Sequence, residues 1–203
     1  MLRKIRSLVS NSDFIGIYDN ALTKKECEIL INQFEKSPQL PGKVYGSPDV
    51  MSSSDYGHVD SDKKSCKELD ALKFSNDDVI GRIINQRLGE SIKKYKIDFP
   101  ETESIAPWKF FNEYNFQKYD GEEDGFKVWH SEHGPEPLAL KRVMAWMFYL
   151  NDAKSGTEFW RHHTIRAKMG RCVIWPAGYT HTHKGVIPNK GLKYIITGWI
   201  SFK

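Results

Sequence analysis

From about Ile105 to its end the chain changes texture, into short runs rich in aromatic and β-branched residues separated by glycine-bearing turns. Such residues suit a pleated, half-buried surface, and runs of this length bounded by turn residues read as strands. The candidates are 110–119, 127–132, 142–150, 156–160, 171–175 and 193–202. Several strands at this spacing confine the fold to a sandwich or jelly roll and argue against an α/β sheet. Trp129, Trp146, Trp175 and Trp199 lie in or beside these runs. Most are expected in the core, with a pocket wall as the alternative for any one of them. Gly156-Thr157-Glu158-Phe159 reads as a hairpin entering a strand, with a structural role.

Helix signals concentrate in the first half. Thr23 with Glu26 three residues on forms a capping-box pattern, and Cys27, Leu30, Ile31 and Phe34 then recur at helical spacing. This predicts a helix over about 23–35, ended before Pro38. A second helix is expected from Asn76 or Asp77, with acidic residues in its first turn at the positive end of the helix dipole. Val79, Ile80, Ile83, Ile84, Leu88 and Ile92 give it a broad apolar face that should pack on the outside of a sheet. Between the helices, 39–64 is punctuated by Pro41-Gly42, Gly46-Ser47-Pro48 and Asp60-Ser61-Asp62 and reads as loop.

With 203 residues, 39% hydrophobic and 28% charged, the chain fits a single domain over 1–203 with a core that needs no staples. Within it, 1–104 is expected to supply helical support and loop, and 105–203 the strand-built core. The formal charge of +4 is spread along the chain, a mildly basic surface that gives little reason to expect a nucleic-acid partner. Cys27, Cys66 and Cys172 are odd in number and match neither a disulfide framework nor a zinc knuckle, so a reducing compartment is expected. The basic start lacks an apolar stretch long enough for a signal peptide, and no segment approaches the apolar length of a membrane span. A soluble, cytoplasmic protein with no membrane partner is the expectation.

One cluster carries chemistry. Trp129-His130-Ser131-Glu132-His133 lies in a candidate strand, where residues i and i+2 share a face, so His130 and Glu132 can offer an imidazole nitrogen and a carboxylate oxygen to one ion. A second histidine comes from Thr180-His181-Thr182-His183-Lys184-Gly185. Two histidines and one carboxylate on one face of an octahedron leave open positions, the arrangement that suits non-haem Fe(II). Ten residues past His183 the chain has turned through Gly185, Pro188 and Gly191 and returns with Lys193. A lysine there can hold the far carboxylate of a dicarboxylate whose other end chelates the metal, as 2-oxoglutarate requires. An unpaired ammonium in an aromatic and β-branched strand is otherwise costly to bury. The same ten-residue step from His181 lands on Gly191, which favours His183 as the ligand. His133, His162 and His163 read as surface residues or residues behind the site.

Gln117-Lys118-Tyr119, Trp129-His130-Ser131-Glu132, Tyr149-Leu150-Asn151-Asp152, Gly156-Thr157-Glu158-Phe159, Trp175-Pro176-Ala177-Gly178 and Lys193-Tyr194-Ile195-Ile196-Thr197-Gly198-Trp199 together resemble the 2-oxoglutarate and Fe(II)-dependent oxygenases. Within that superfamily the chain resembles the small prolyl 4-hydroxylase-like proteins of bacteria and their viruses. The likeness is close over the last half and looser at Phe14-Ile15-Gly16-Ile17-Tyr18-Asp19-Asn20-Ala21-Leu22-Thr23. The family most often has Asp two residues after the first histidine, and here stands Glu132, the same donor on one more methylene. The resemblance implies a mainly β (α+β) fold, a double-stranded β-helix jelly roll with supporting N-terminal helices. It implies a dioxygenase that hydroxylates an unactivated carbon, most closely that of a prolyl residue in a peptide or protein, with release of succinate and carbon dioxide. Fe(II) would sit on His130, Glu132 and His183, 2-oxoglutarate on Lys193, Tyr149 and Tyr119, and ascorbate would keep the iron reduced. The partners expected are dioxygen and a peptide or protein, with a small molecule as the other substrate class. The competing readings are a cupin-type metalloenzyme that does not use 2-oxoglutarate, a catalytically silent jelly-roll binding module, and a zinc hydrolase for which no general base is evident.

Overall fold

The computed structural model describes residues 13–44, 57–70, 78–134, 136–187 and 191–203, with the backbone alone at 70 and 111–113. Helix α1 (Lys24–Lys36) starts at the capping box. The Thr23 hydroxyl accepts from the Glu26 N–H at 3.2 Å, and the Glu26 carboxylate accepts from the Thr23 N–H at 2.8 Å. Cys27, Leu30 and Phe34 form the buried stripe. Helix α2 (Val79–Asp98) is capped by Asp78, whose carboxylate accepts from the Gly81 N–H at 2.8 Å. Its acid is thus the cap itself, and the first turn holds none; Asn76 and Asp77 lie outside the described residues. Ile80, Ile84, Leu88, Ile92 and Tyr95 are buried, whereas Val79 is half exposed, so the apolar face is narrower than the sequence suggests.

Seven strands form an antiparallel sheet: β1 (Gly16–Tyr18), β2 (Leu40–Pro41), β4 (Lys67–Asp70), β5 (Trp108–Tyr119), β7 (Arg142–Tyr149), β10 (Cys172–Pro176) and β12 (Lys193–Phe202), in the order β1-β10-β7-β12-β5-β4-β2. Facing it are β8 (Gly156–Phe159), β9 (Thr164–Arg166) and β11 (His183–Val186), in the order β11-β8-β9, and the pair β3 (Lys64–Ser65) with β6 (Gly125–Phe126). One face of the large sheet packs on α1 and α2 through Tyr114, Phe116, Trp146, Phe148, Tyr194, Ile196 and Ile200. The other faces the small sheets through Tyr119, Ala145, Met147, Tyr149 and Ile195, against Phe159 and Ile165. This is a jelly roll with helices on one side.

The even residues of β12 go to the helices and the odd ones to the gap between sheets, the period-two alternation of a strand buried on both faces. Register then sets the site. Lys193 pairs with Tyr119, Ile195 with Gln117 and Tyr149, Thr197 with Asn115 and Met147, and Trp199 with Ala145.

Five of the six candidate strands are present with ends shifted by up to two residues. The run 127–132 is a correction. It forms no strand: His130 makes a single bridge to His183 on the small sheet, and the Glu132 N–H reaches the Ala177 carbonyl, just past β10 of the large sheet, at 3.0 Å. The segment crosses from one sheet to the other, and so cannot pair continuously with either. The region 39–64 is likewise less irregular than its turn residues suggest, with β2, a Val44–His58 bridge and the start of β3; 45–56 lie outside the described residues. Strands β1, β2 and β4 extend the large sheet, so the first half supplies sheet as well as helices.

Candidate metal and anion site

His130, Glu132 and His183 converge where the crossing segment meets β11. One ligand atom from each lies within 4.8 Å of the others, and no other such group occurs among the described residues. The ring orientation of each histidine follows from a backbone contact. His130 Nδ1 lies 3.0 Å from the Val128 carbonyl and His183 Nδ1 lies 2.9 Å from the His181 carbonyl. A nitrogen facing a carbonyl carries the proton, which leaves both Nε2 lone pairs free, the tautomer a metal ligand needs. Glu132 Oε1 is 3.2 Å from His183 Nε2, and Glu132 Oε2 accepts from the Trp199 indole N–H at 2.6 Å.

Burial works to raise the Glu132 carboxyl, but its contacts with His183, His130 and the Trp199 N–H more than offset it and hold it below the usual carboxylate range. Burial, with His183 as neighbour, pushes His130 down to about 3. A carboxylate beside a neutral imidazole is the protonation state that takes up a divalent cation without first losing protons. Phe126 stacks on the His130 ring at 3.6 Å, and Phe159 and Trp175 pack on His183 at 5.3 and 5.1 Å.

From the triad a cavity of about 150 Å³ runs along β12, past Trp199, Thr197 and Ile195 to Lys193. Lys193 is 3% exposed, its Nζ lies 4.3 Å from the Tyr119 ring centroid, and no carboxylate among the described residues pairs with it. Burial lowers its pKa to about 8. Tyr119 gives its hydroxyl proton to Gln117 Oε1 at 2.6 Å, and Gln117 Nε2 donates to Glu68 Oε1 at 2.8 Å. Because Glu68 also takes the Lys64 ammonium and the Lys43 N–H, the Gln117 amide can face it only with its NH₂. The Tyr119 hydroxyl is therefore committed as a donor to Gln117 and presents its ring face to Lys193.

Five of the six expected site residues line this cavity: His130, Glu132, His183, Lys193 and Tyr119. Tyr149 stands behind it, its hydroxyl 2.6 Å from Thr157 Oγ1, and Thr157 is the one that reaches the wall. His181 points away: its Nε2 is 2.6 Å from the Asp13 carbonyl, its Nδ1 2.9 Å from the Thr180 hydroxyl, and His162 stacks on it at 5.4 Å. His133 lies outside too, with Nε2 2.7 Å from the Arg142 carbonyl. Trp146 and Trp175 are core, whereas Trp199 lines the cavity. Stepping by two from Lys193 or back from Tyr119 would have found Thr197, Trp199, Gln117 and Asn115. Lys64 and Glu68 have no such signal, since only the pairing of β3 with β6 and of β4 with β5 brings them in.

Fold and site together define a jelly-roll protein with a two-histidine, one-carboxylate face opening onto a cavity that holds a buried cation. Residues 114–201 match the family model of the 2OG-Fe(II) oxygenase superfamily, whose metal and cosubstrate are Fe(II) and 2-oxoglutarate. Among solved structures the chain is similar to the viral collagen prolyl hydroxylase of Paramecium bursaria Chlorella virus-1 in its 2OG complex (15% identity, 95% of this chain and 98% of that one, TM-score 0.65). It is also similar to a Pseudomonas putida prolyl-4-hydroxylase (11%, 95% and 94%, 0.63). A third is the Trichoplax adhaerens prolyl hydroxylase in complex with a hypoxia inducible factor peptide fragment (14%, 94% and 84%, 0.69). At these identities the likeness is one of fold. No curated protein matches by sequence. No helix among the described residues is long and apolar enough to cross a membrane.

Proposed function

We propose that the protein hydroxylates an unactivated carbon of a prolyl residue in a peptide or protein, consuming 2-oxoglutarate and dioxygen and releasing succinate and carbon dioxide. The observation that carries this reading is Lys193, a buried ammonium in the same cavity as the triad, with no carboxylate partner among the described residues. Such a charge is costly unless an anion joins it. The residues fit the implied groups: two free Nε2 atoms and a carboxylate for Fe(II), and the lysine for the distal carboxylate of 2-oxoglutarate. A divalent cation, Glu132, a dicarboxylate and Lys193 together carry no net charge, and Lys64 with Glu68 already cancel.

Bound Fe(II) and 2-oxoglutarate supply the oxidising chemistry. The chain's own part is to orient and to exclude water. Lys193 holds the distal carboxylate, Thr157 and Thr197 offer hydroxyls along the wall, and Ile195 and Met147 keep the middle of the cavity apolar. Ascorbate serves to keep the iron reduced. The prolyl substrate is carried over from the three similar structures, each named as a prolyl hydroxylase. The buried cation speaks against a cupin-type enzyme without a dicarboxylate and against a silent binding module.

Anaerobic titration of the purified protein with Fe(II) and 2-oxoglutarate tests the reading. A metal-to-ligand charge-transfer band, lost in Lys193→Ala, followed by succinate on admitting oxygen, is the expected result. Bound iron with no band would overturn the cosubstrate assignment. Proline-containing peptides, compared with free amino acids, are then assayed by mass for gain of one oxygen. Gain on free amino acids alone would overturn the peptide substrate.

A further inference from the structure

Glu132 is longer than the aspartate usual at its position, and a longer carboxylate has one more torsion by which to turn. The side chain is nevertheless held from two sides. Its Oε2 accepts from Trp199 Nε1 at 2.6 Å, while Oε1 is the oxygen beside His183. The Arg142 guanidinium lies 3.7 Å from the Trp199 ring centroid and donates from its Nη1 to the Glu132 carbonyl at 2.9 Å. A closed loop runs from the Glu132 backbone through Arg142 and Trp199 to the Glu132 carboxylate. The register of β12 against β5 shifts between Gly198 and Ile200, at Trp199, the kind of irregularity that re-aims a side chain beside a site.

We propose that Trp199, seated by Arg142, is a positioning residue that makes a glutamate workable as the metal ligand, by engaging Oε2 so that Oε1 alone is offered to the ion. This rests on the reading of His130, Glu132 and His183 as the metal site. An aspartate on the same backbone would draw its carboxylate back by about 1.5 Å, one carbon–carbon bond. From there an indole N–H that reaches Oε2 at 2.6 Å could not be reached. The Trp199 contact is therefore matched to the longer side chain.

The test is a Co(II) titration of the whole protein, reading the dissociation constant and the visible d–d spectrum in wild type, Trp199→Phe, Glu132→Asp and the double variant. Phenylalanine keeps a ring under Arg142 and removes only the N–H. Trp199→Phe should weaken Co(II) binding by about 10- to 100-fold, the usual cost of losing a hydrogen bond behind a metal ligand, and change the d–d band. In the Glu132→Asp background it should change neither. Equal weakening in both backgrounds, or no change in wild type, would overturn the proposal. Arg142→Gln, expected to shift the band in the same direction, serves if circular dichroism finds Trp199→Phe misfolded, and an unshifted band there would equally overturn it. Failure of the metal site itself looks different: His130→Ala would leave Co(II) affinity unchanged.

Discussion

An ammonium that is 3% exposed and faces no carboxylate among the described residues is costly in the ligand-free protein, and Lys193 should announce this in two ways. Its pKa falls from 10.5 to about 8 in the folded, empty protein. Between those values the unfolded chain holds a proton that the folded one has lost, so the stability of the empty protein should rise with pH from about 8 to 10.5. Below about 8 the full cost of burying the charge is present, on the order of 3 kcal/mol. Lys193→Met should therefore raise the thermal midpoint of the empty protein at pH 7 while abolishing 2-oxoglutarate binding; a lowered midpoint would count against the uncompensated charge. A bound dicarboxylate needs the protonated form, so 2-oxoglutarate affinity should fall as pH rises through about 8, by up to tenfold per pH unit. A flat profile from pH 7 to 9.5 in a binding titration would show that another group holds the anion. At this scale the site was largely legible. The residues that converge on the cavity stand out by type and spacing, since few other arrangements use a histidine, an acid two residues on and a lysine ten past a second histidine. Tyr149 was read one layer too close, because the hydroxyl of Thr157 stands between it and the cavity and no pattern of residue types shows which of two neighbouring hydroxyls is nearer.

Elements were legible where one local rule decides them. The Thr23–Glu26 capping box fixes the start of α1, and Thr23→Ala should cost about 1 kcal/mol, a fall in melting temperature of roughly 2–4 °C for a chain of this size. No change would mean that packing of Cys27, Leu30 and Phe34 alone holds that end. The crossing segment 127–132 was not legible as such, because its alternation of side chains is that of a strand while its hydrogen bonds go to two different sheets. Gly170 was silent as well. It has φ +76°, and a Cβ there would stand 2.3 Å from the Leu22 carbonyl oxygen just before α1. Gly170→Ala should lose at least about 1 kcal/mol through both conformation and clash, measurable by denaturant unfolding. A neutral result would mean that the Leu22 turn can move.

The whole molecule stands on two cores, one under the helices and one between the sheets, and both are built from hydrophobic side chains rather than from the triad. Chelation should therefore leave the far-ultraviolet circular dichroism unchanged. Adding Fe(II) or Mn(II) at about 100 times its dissociation constant should stabilise the protein by about 2.7 kcal/mol, a rise of roughly 5–10 °C. Unfolding on chelation would instead make the metal structural. Where the chain can be cut follows from Asp13. Its backbone carbonyl holds the His181 ring from 168 residues away, and the His181 carbonyl in turn aims His183. The family-matched stretch carries every expected metal ligand yet lacks this tie, both long helices, and β1, β2 and β4 of the large sheet. A minimal domain trimmed to the family-matched stretch would keep the letters of the site and lose the brace that points one of its histidines; the working unit begins at or before Asp13.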